Sequence, residues 1–548
     1  MKRNTLKRTL ATVCAAAMVM GCLAGCGKGA GNGEKVDNTA EDKTNLKVML
    51  YAKGYGSEWL TKMAEAFEAK NPGVKVTIKP VNSSDVMRSD VKNVDYCDTD
   101  LYFDIVATAG SSLVNEFKQT WEGKQGLRDL TYLVDSQIPG EEVTLGEKMN
   151  DSLLYASMYE GRDTEDTADD VYYTLPYVTG AMGLYYNETV IDNALGKGNW
   201  SVPRTTDELI ALCKNLKAKG CSIMLPGALD QWASSMFLSW WAQYEGLENY
   251  HKFYEAIGYN TTKSREEQNS SFIYEQPGRL ASLKVSSELL NNKTGYALEN
   301  AAEIGANNLN EYQSRFTLAK NNYAFYPCGD WLMQELKNNS TIESDSVIKM
   351  MKMPVISSII ESTDSYSGSA DKRLPNIKSD KVLAQVVDYV DGKGDLPAGV
   401  TEDEAAIVKE ARNVMGSKGT DHIVYAPAFS NAKTLADDFL LFMASDEGIK
   451  IFKENCIGGF APYDYEYSDL ETTEQSVYEA TKTAEYVDDF RYHELFYIGG
   501  INAQTAGTSD TLDGLLCKPN GMSAEELNES FLTAYSGVKW ESYLSKIQ

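Results

Sequence analysis

The chain has 548 residues, of which 43% are hydrophobic and 24% charged, and its formal net charge is −27. This composition is that of a soluble globular protein, and the length is too great for one hydrophobic core, so we expect two lobes or more. So acidic a surface argues against nucleic acid as a partner, because it would repel the phosphate backbone.

The first 25 residues have the layout of a secretory signal peptide. Four basic residues near the start precede an apolar or small stretch from Leu10 to Gly25, which is too short to span a bilayer. The stretch closes with LAGC, which ends at Cys26 and resembles the bacterial lipobox. That resemblance implies cleavage before Cys26 and a lipid on its thiol, which would anchor the protein at the outer face of the cell membrane. An ordinary signal peptide with an incidental cysteine is the alternative.

The signal peptide, residues 1–25, is followed by a segment of different composition at 26–45. Gly, Asn, Lys, Glu, Asp and Thr dominate this segment. It offers too little apolar surface to offset the entropy of ordering, so we predict a flexible tether between the membrane and the folded body.

The folded body opens with a predicted strand, helix and strand. The apolar run LKVMLYAKG predicts the first strand, the helical spacing in SEWLTKMAEAFEAK predicts the helix, and VKVTIKPV predicts the second strand. FDIVATAGSS predicts a third strand. This βαβ order implies a parallel sheet, and ligands meet such sheets at the carboxyl ends of the strands. The candidate ligand contacts in these loops are Tyr55, Ser57, Glu58, Thr108 and Ser111, unless the loops are ordinary surface loops.

Later segments alternate between predicted strands and helices. VYYTLPYVTGAMGLYYNETVID and CSIMLPG contain strands, whereas TTDELIALCKNLKAKG and QWASSMFLSWWAQYEG predict helices. FTLAKNNYAFYPCGDWLMQEL predicts a helix end, a strand, a turn and a helix start. The acidic stretch at 375–418 predicts one or two helices, and residues 422–462 predict a strand, a loop and an amphipathic helix. Helices and loops are expected from 468 onward.

Cysteines and acidic stretches give little support for a metal site. Six cysteines follow Cys26, and none forms a CxxC pair. Export permits disulfides among them, and single buried thiols are the alternative; the six are Cys97, Cys213, Cys221, Cys328, Cys456 and Cys517. The acidic stretches at 95–100 and 162–170 lack the spacing of an EF-hand and are interpreted as solvated loops. We expect no metal and no cofactor.

Four stretches of the body, taken in order, carry a family resemblance. They are FEAKNPGVKVTI, YTLPYVTGAMGLYYNETVID, FTLAKNNYAFYPCGDWLMQEL with its Gly-x-Trp turn, and YAPAFSNAKTLADDFLLFMASDEGIKIFKENCIGGFAP. Each is weak alone, but their order and spacing across residues 46–462 resemble the extracellular solute-binding proteins of ABC importers, in the group that binds maltose and other oligosaccharides. The chain departs from that pattern at 375–418, which looks inserted, and in a long tail beyond 468.

The resemblance implies an α/β fold of the two-lobe periplasmic-binding-protein type, with a hinge and a central ligand cleft. We place the first lobe at 46–182 plus 355–455, and the second at 183–354 plus 456–548 with the C-terminal helices. The chain is expected to cross between the lobes near Met182–Tyr186, Met353–Ile356 and Gly458–Pro462.

The resemblance also implies a binding protein rather than an enzyme. It would be a monomer that captures a carbohydrate and delivers it to the permease of an ABC importer. Among carbohydrates, an oligosaccharide is the first candidate. Aromatic rings pack on sugar C–H faces, and the chain supplies 33 tyrosines and 8 tryptophans. The best candidates are Trp331 and Asp330 in the Gly-Asp-Trp turn, followed by Trp232 and Thr179. Core packing is the alternative role for both tryptophans.

Two other functions stay open. A secreted glycoside hydrolase needs only two suitably placed carboxylates, and 79 acidic residues will always supply a plausible pair. The sequence has no HExxH, GxSxG or phosphate-loop motif. The second alternative is a receptor for a peptide or another solute that is not a sugar.

Overall fold

The computed structural model describes residues 41–84, 86–87, 89, 103–109, 126–158, 170–223, 232–252, 275–290, 296, 309–339, 344–363, 369–419, 421–487, 522–534 and 542. Cys26, Ser111 and most of the predicted tether lie outside these residues, as do Cys97, Cys517 and nearly all of the two acidic stretches. Across the described ranges, no helix combines the length and the apolar character that crossing a membrane requires.

Eleven strands of the described chain form two sheets. They are β1 Asn45–Tyr51, β2 Lys75–Val81, β3 Ile105–Ala109, β4 Leu175–Pro176, β5 Ala181–Asn187, β6 Ser222–Ile223, β7 Tyr323–Gly329, β8 Ile348–Met351, β9 Val414–Ser417, β10 His422–Tyr425 and β11 Glu485–Val487. The first sheet has the order β2-β1-β3-β10-β4, and the second has the order β11-β9-β5-β7-β6 with β8 also paired to β5.

The first sheet contains the predicted βαβ unit. β1 pairs in parallel with β2 and with β3, and β10 joins β3 and β4 in antiparallel fashion. Because side chains alternate along a strand, the central strand β1 supplies two cores. Val48 and Leu50 pack in a large core with helical residues such as Phe439, whereas Met49 packs in a smaller one with Tyr425.

The second sheet is built around β5. β7, β8 and β9 all pair antiparallel with β5, and every residue of β5 is buried. Leu184 and Tyr186 pack in one core, while Ala181 and Tyr185 pack in another. Both faces of this sheet are therefore covered, which explains why the sequence of β5 shows no alternation of polar and apolar residues.

Seventeen helices of the described chain cover the two sheets. They are α1 Glu58–Lys70, α2 Thr131–Val134, α3 Leu145–Lys148, α4 Asp151–Ser157, α5 Glu188–Leu195, α6 Thr206–Lys217, α7 Ser234–Glu245, α8 Leu247–Lys252, α9 Pro277–Leu290, α10 Leu309–Thr317, α11 Leu332–Asn338, α12 Asp380–Val390, α13 Glu402–Asn413, α14 Lys433–Ala444, α15 Asp446–Asn455, α16 Thr472–Thr481 and α17 Ala524–Ala534. The late helix predicted as one is two, because Ser445 is extended and caps α15 by accepting a hydrogen bond from the Gly448 amide.

The stretch at 375–418 that looked inserted contributes to the core that contains Leu184 of β5. Helices α12 and α13 contribute Val386, Val387 and Val408 to the same cluster as Leu184 of β5. The sequence placed these residues in the 355–455 part of the first lobe, but α13 leads directly into β9, which pairs with β5. The helices therefore pack with the second sheet.

Within the described residues, three connections join the two sheets, and they meet near Thr179. The first runs from β4 to β5, the second from β9 to β10, and the third from α15 to α16. Ser417 Oγ donates to the Thr179 carbonyl at 2.8 Å, the Lys418 amide donates to the Gly180 carbonyl at 2.7 Å, and the Thr179 amide donates to the Phe460 carbonyl at 2.9 Å. Neighbouring backbones at this point are thus hydrogen-bonded to one another.

These connections agree only in part with the predicted crossings. The third passes through Gly458–Pro462 as predicted. The first lies just before the predicted Met182–Tyr186, which belongs wholly to β5. The prediction at Met353–Ile356 is wrong, because Met353, Val355 and Ile356 are buried in the core of the second sheet. The return from β9 to β10 takes its place.

Candidate functional site

The carboxylate of Asp330 lies where the connections between the sheets meet. Tyr55 Oη donates to one carboxylate oxygen at 2.5 Å. Thr179 Oγ1 donates to the other at 2.8 Å, and the Ala181 amide donates to that same oxygen at 3.2 Å. Asp330 is fully buried, so the charge that it carries when ionised is compensated by hydrogen bonds rather than by water.

Glycines in the sequence allow this arrangement. Gly54 and Gly56 flank Tyr55 with φ of 79° and 73°, which is a conformation that favours glycine. In the Gly-Asp-Trp turn, a Cβ on Gly329 would lie 2.1 Å from the ring of Trp331. The indole therefore folds back over its own turn, and this is a physical reason for the glycine in the motif.

Aromatic rings from both sheets lie around Trp331, the residue after Asp330. The centroid of Trp331 lies 6.0 Å from that of Tyr55, 5.8 Å from that of Trp232 and 5.8 Å from that of His422. Tyr177 lies 5.9 Å from His422, and its Oη is 3.2 Å from His422 Nδ1, within hydrogen-bond distance. We call these rings the junction cluster: Tyr55, Tyr177, Trp232, Trp331 and His422.

Exposure differs sharply within the junction cluster. Tyr55 is 1% exposed and Trp331 is 7% exposed, whereas Trp232 is only partly buried. Trp232 also contacts Tyr326 of β7, with ring centroids 5.9 Å apart. Trp232 is therefore the most exposed member of the junction cluster.

Burial shifts the ionisation of the groups at the junction. Burial raises the pKa of Asp330 to about 7 although three donors oppose the shift, and it raises the pKa of Tyr55 well above its usual value. Burial lowers the pKa of His422 to about 4, so the imidazole is neutral at physiological pH. The junction is consequently a low-charge, largely apolar environment with fixed hydrogen-bond directions.

The other predicted site residues that the structure describes are Ser57, Glu58 and Thr108, and their settings differ. Ser57 is half-buried and precedes α1 without capping it through its side chain, and Glu58 is exposed in the first turn. Thr108 is fully buried in β3, and its hydroxyl has no hydrogen-bond partner among the described residues. The structure thus brings Tyr55, Thr179, Trp232, Asp330 and Trp331 together, but it leaves Glu58 at the surface.

Sequence reasoning missed Tyr177 and His422. Both belong to the first sheet: Tyr177 directly follows β4 and His422 begins β10. The Tyr177 amide donates to the His422 carbonyl at 3.2 Å. Tyr177 lies inside the LPYVTG stretch, three residues before Gly180, and that proximity was the available signal. His422 is one of three histidines in the chain, and the sequence beside it carries no motif that indicates a site.

The described residues show no grouping of three or more His, Cys, Asp or Glu side chains that could hold a metal ion. Cys213, Cys221, Cys328 and Cys456 are free and buried, so buried thiols rather than disulfides are found for these four. At the junction, aromatic rings and hydrogen-bonding groups lie side by side.

A family profile and similar solved structures both relate this chain to binding proteins. The profile of bacterial extracellular solute-binding proteins matches residues 53–322. The apo-form of RafE from Streptococcus pneumoniae is similar with a TM-score of 0.54 and 15% identity, covering 90% of this chain and 98% of that one. A chitin oligosaccharide binding protein is similar with a TM-score of 0.52 and 15% identity, covering 91% and 99%. These likenesses concern the fold and agree with the α/β architecture of two sheets. No curated protein matches the chain.

Proposed function

Because this chain is a bacterial extracellular solute-binding protein, we propose that it captures a carbohydrate for an ABC importer, with an oligosaccharide as the first candidate. The observation that carries the proposal is the junction cluster, in which Trp232 is accessible and stands against Trp331 between two sheets. Indole rings offer large apolar faces to sugar C–H groups. Two of the similar structures are RafE in complex with raffinose and a chitin oligosaccharide binding protein, which supports a sugar here.

In the proposed complex, the sugar stacks on Trp232 and then on Trp331. Ser57 and Glu58 lie at the start of α1, beside the loop that carries Tyr55. Their side chains can form hydrogen bonds with hydroxyl groups at the edge of the sugar. A carboxylate that accepts from a hydroxyl forms a charge-assisted hydrogen bond, which adds specificity to the stacking. The two kinds of contact together give a site for a neutral polyol with apolar faces.

We propose binding without turnover. Both oxygens of Asp330 accept hydrogen bonds from the protein and the side chain is fully buried, which favours a structural role for this carboxylate over direct contact with a sugar bond. The glycoside hydrolase alternative would require two carboxylates that face the same sugar bond. A solute other than a sugar remains an outcome of the experiment below.

We further propose how the protein is held and used. Cys26 carries a lipid, the segment after it is the tether, and the body works as a monomer at the outer face of the membrane. The lipobox-like LAGC sequence supports the anchor. Delivery to permease subunits follows from membership of a family of solute-binding proteins.

Thermal-shift screening of the purified protein against mono- and oligosaccharides, peptides and amino acids tests the proposal. A ligand at a hundred times its dissociation constant stabilises the fold by about 2.7 kcal/mol. We expect a specific shift with one oligosaccharide class and no change of that glycan when the mixture is followed by chromatography. Glycan cleavage would favour the hydrolase, and a shift only with peptides or amino acids would contradict the sugar.

A further inference from the structure

The carboxylate of Asp391 is shared by three basic side chains. Arg412 Nη2 lies 2.9 Å from one of its oxygens, Lys393 Nζ lies 3.5 Å from that same oxygen, and Lys352 Nζ lies 3.8 Å from the other. Burial acts to raise the pKa of Asp391, yet the hydrogen bonds and charge of Arg412 hold it below its ordinary value. One negative charge therefore faces three positive charges.

Arg412 and Asp391 form the balanced part of this group. Both side chains are less than a tenth exposed, and the Arg412 guanidinium also donates to the Met353 carbonyl at 2.9 Å. A buried ion pair of this kind requires such additional hydrogen bonds. Because one carboxylate neutralises one cation, the charges of Lys352 and Lys393 are surplus within this group.

A fourth cation lies close to Lys352. Burial lowers the pKa of Lys352, and nearby positive charges, including that of Lys482, lower it further. Lys482 is itself paired with Glu479 at 2.6 Å. With the two carboxylates that face them, the four basic residues carry an excess of two positive charges, in a chain whose formal net charge is −27. We call these four residues the cation patch: Lys352, Lys393, Arg412 and Lys482.

Helix dipoles explain only part of this accumulation. Arg412 lies in the last turn of α13 and Lys482 directly follows α16, and a cation stabilises the C-terminus of a helix. Lys352 instead follows strand β8, and only 20% of its side chain is exposed. Placing a further ammonium group beside other cations costs electrostatic energy, so this position favours a role that uses positive charge.

Polar groups accompany the ammonium groups of the patch. Lys352 Nζ donates to Thr483 Oγ1 at 3.2 Å, and that hydroxyl donates to Asn413 Oδ1 at 2.9 Å. Lys393 follows Gly392, whose φ of 72° turns the chain at the end of α12, and the Lys393 side chain is 66% exposed. An anion that arrives from solvent can therefore meet ammonium groups that are already held close together.

The patch suits an anion with several oxygens. Lysine binds phosphate as a compact point charge, and an oxyanion accepts hydrogen bonds from more than one ammonium group at once. We propose that the cation patch binds a phosphate-type oxyanion, as free phosphate or as a phospholipid headgroup, at a site whose residues are distinct from the junction cluster. Lys352 and Lys393 contact the anion, whereas Arg412 stays paired with Asp391.

Calorimetric titration of the purified full chain with inorganic phosphate tests the proposal, at constant ionic strength and with chloride as the reference anion. We expect saturable binding of phosphate only. The double variant Lys352→Gln/Lys393→Gln should weaken it at least about tenfold, because hydrogen bonds between ionised groups are the strong ones. Lys393→Gln alone should act in the same direction and serves if the double variant does not fold.

The matched control is Lys62→Gln/Lys372→Gln, which changes the net charge equally. These two lysines lie at the surface, and each has a carboxylate of its own, Glu65 at 2.9 Å and Glu361 at 2.6 Å. Phosphate binding should stay close to that of the parent in this control. Identical titrations with phosphate and chloride, or equal losses in the two double variants, would overturn the proposal.

Vesicles distinguish the two sources of the oxyanion. Every protein in this comparison carries Cys26→Ala, so that no acyl chain contributes, and cosedimentation is measured at low ionic strength. Binding to phosphatidylglycerol over phosphatidylcholine vesicles that phosphate competes and the double lysine variant loses would assign a headgroup. Phosphate binding without that vesicle preference would assign free phosphate. Vesicle binding that persists in the double lysine variant would overturn the patch as a headgroup site.

Discussion

The indole of Trp232 meets the indole of Trp331 with ring centroids 5.8 Å apart and planes inclined by 68°. The edge of one ring therefore faces the other, which is a favoured geometry for aromatic pairs. Trp232 is the more exposed of the two, which is why we propose that the sugar contacts it first.

Trp232→Ala should weaken sugar binding more than it weakens the fold. We expect a loss of about 1–3 kcal/mol in binding, or roughly ten- to a hundredfold, measured by calorimetry with the ligand found in the screen. Trp200→Ala is the control, because Trp200 is also partly buried but packs on Tyr186 away from the junction. Equal affinity in Trp232→Ala and the parent would assign Trp232 to packing alone.

Trp331→Ala should also weaken binding by about 1–3 kcal/mol, and in addition it should lower stability. Its ring is almost completely buried, so truncation leaves a cavity, and loss of a core aromatic typically destabilises by about 3–5 kcal/mol. Denaturant unfolding separates the second effect from the first. A folded variant that binds as tightly as the parent would remove Trp331 from the site.

Asp330→Asn should change how stability depends on pH. The pKa of Asp330 is about 7 in the folded protein against an ordinary value of 3.8, so between these values the folded state binds more protons than the unfolded state. The unfolding free energy of the parent therefore falls, relative to the variant, as pH rises from about 4 to about 7, by up to about 1.4 kcal/mol per pH unit.

Other buried groups do not obscure this comparison. His422, with its pKa lowered to about 4, adds stability that is lost as pH falls, and Glu245, with its pKa raised to about 7, acts in the direction of Asp330. Both are common to the parent and the variant, so their contributions largely cancel in the difference. Urea unfolding of both proteins at pH 5 and pH 7 gives the measurement, and parallel pH profiles would show that Asp330 titrates normally.

Gly180→Ala should destabilise the protein more than Gly73→Ala. Both glycines have positive φ, at 56° and 92°, so each alanine incurs roughly 1–2 kcal/mol of backbone strain. At Gly180 a Cβ would also lie 2.6 Å from the Gly419 amide nitrogen, where two connections between the sheets meet, whereas nothing lies within 4 Å at Gly73. Similar losses in the two variants by thermal unfolding would show that the connections can move apart easily.

A ligand should make the protein more compact. Only three described connections join the sheets, and few connections permit hinge motion. Contacts to the ligand from both sheets would favour the closed form by their differential affinity. Small-angle scattering with and without saturating ligand should therefore give a smaller radius of gyration with it. Identical profiles despite confirmed binding would indicate a preformed pocket.

Cys26→Ala should release the protein from the membrane fraction. Acyl chains contribute about 0.8 kcal/mol per buried methylene group, and without them the acidic body has no comparable attraction to an anionic surface. Fractionation and mass spectrometry of the N-terminal peptide measure the effect. Cys22→Ala, in the same apolar stretch, is the control and should stay at the membrane. Retention of Cys26→Ala would argue for another anchor.

Local patterns predicted most of the elements that build the first sheet. The parallel pairing of β1 with β2 and β3 follows from three apolar runs with a helix between two of them, because a βαβ unit has one preferred handedness. Sequence patterns could not show which strands β9 and β10 pair with, because these strands have only four residues each and most of their partners are hundreds of residues away. For this reason the predicted crossing at Met353–Ile356 was wrong.

The candidate site was predictable where a motif marked it. Gly329, Asp330 and Trp331 stand together in one turn, and the loop after β1 was a candidate from the position of strand ends alone. Neither argument shows that Tyr55 and Asp330 bond to each other, since that contact depends on how two sheets are docked. His422 was missed for the same reason, because its neighbours come from three separate parts of the chain.

The place of β9, β10 and β11 in the two sheets bears on how the chain can fold during synthesis. β10 lies between β3 and β4 in the first sheet, and β9 and β11 form one edge of the second sheet. Neither sheet can be completed until residues beyond 414 have been synthesised. Until then, the earlier strands have unpaired edges. Such late, long-range pairing is slow and exposes strand edges to aggregation. A fragment that ends before 414 should therefore fail to fold, even though it contains most of the junction cluster.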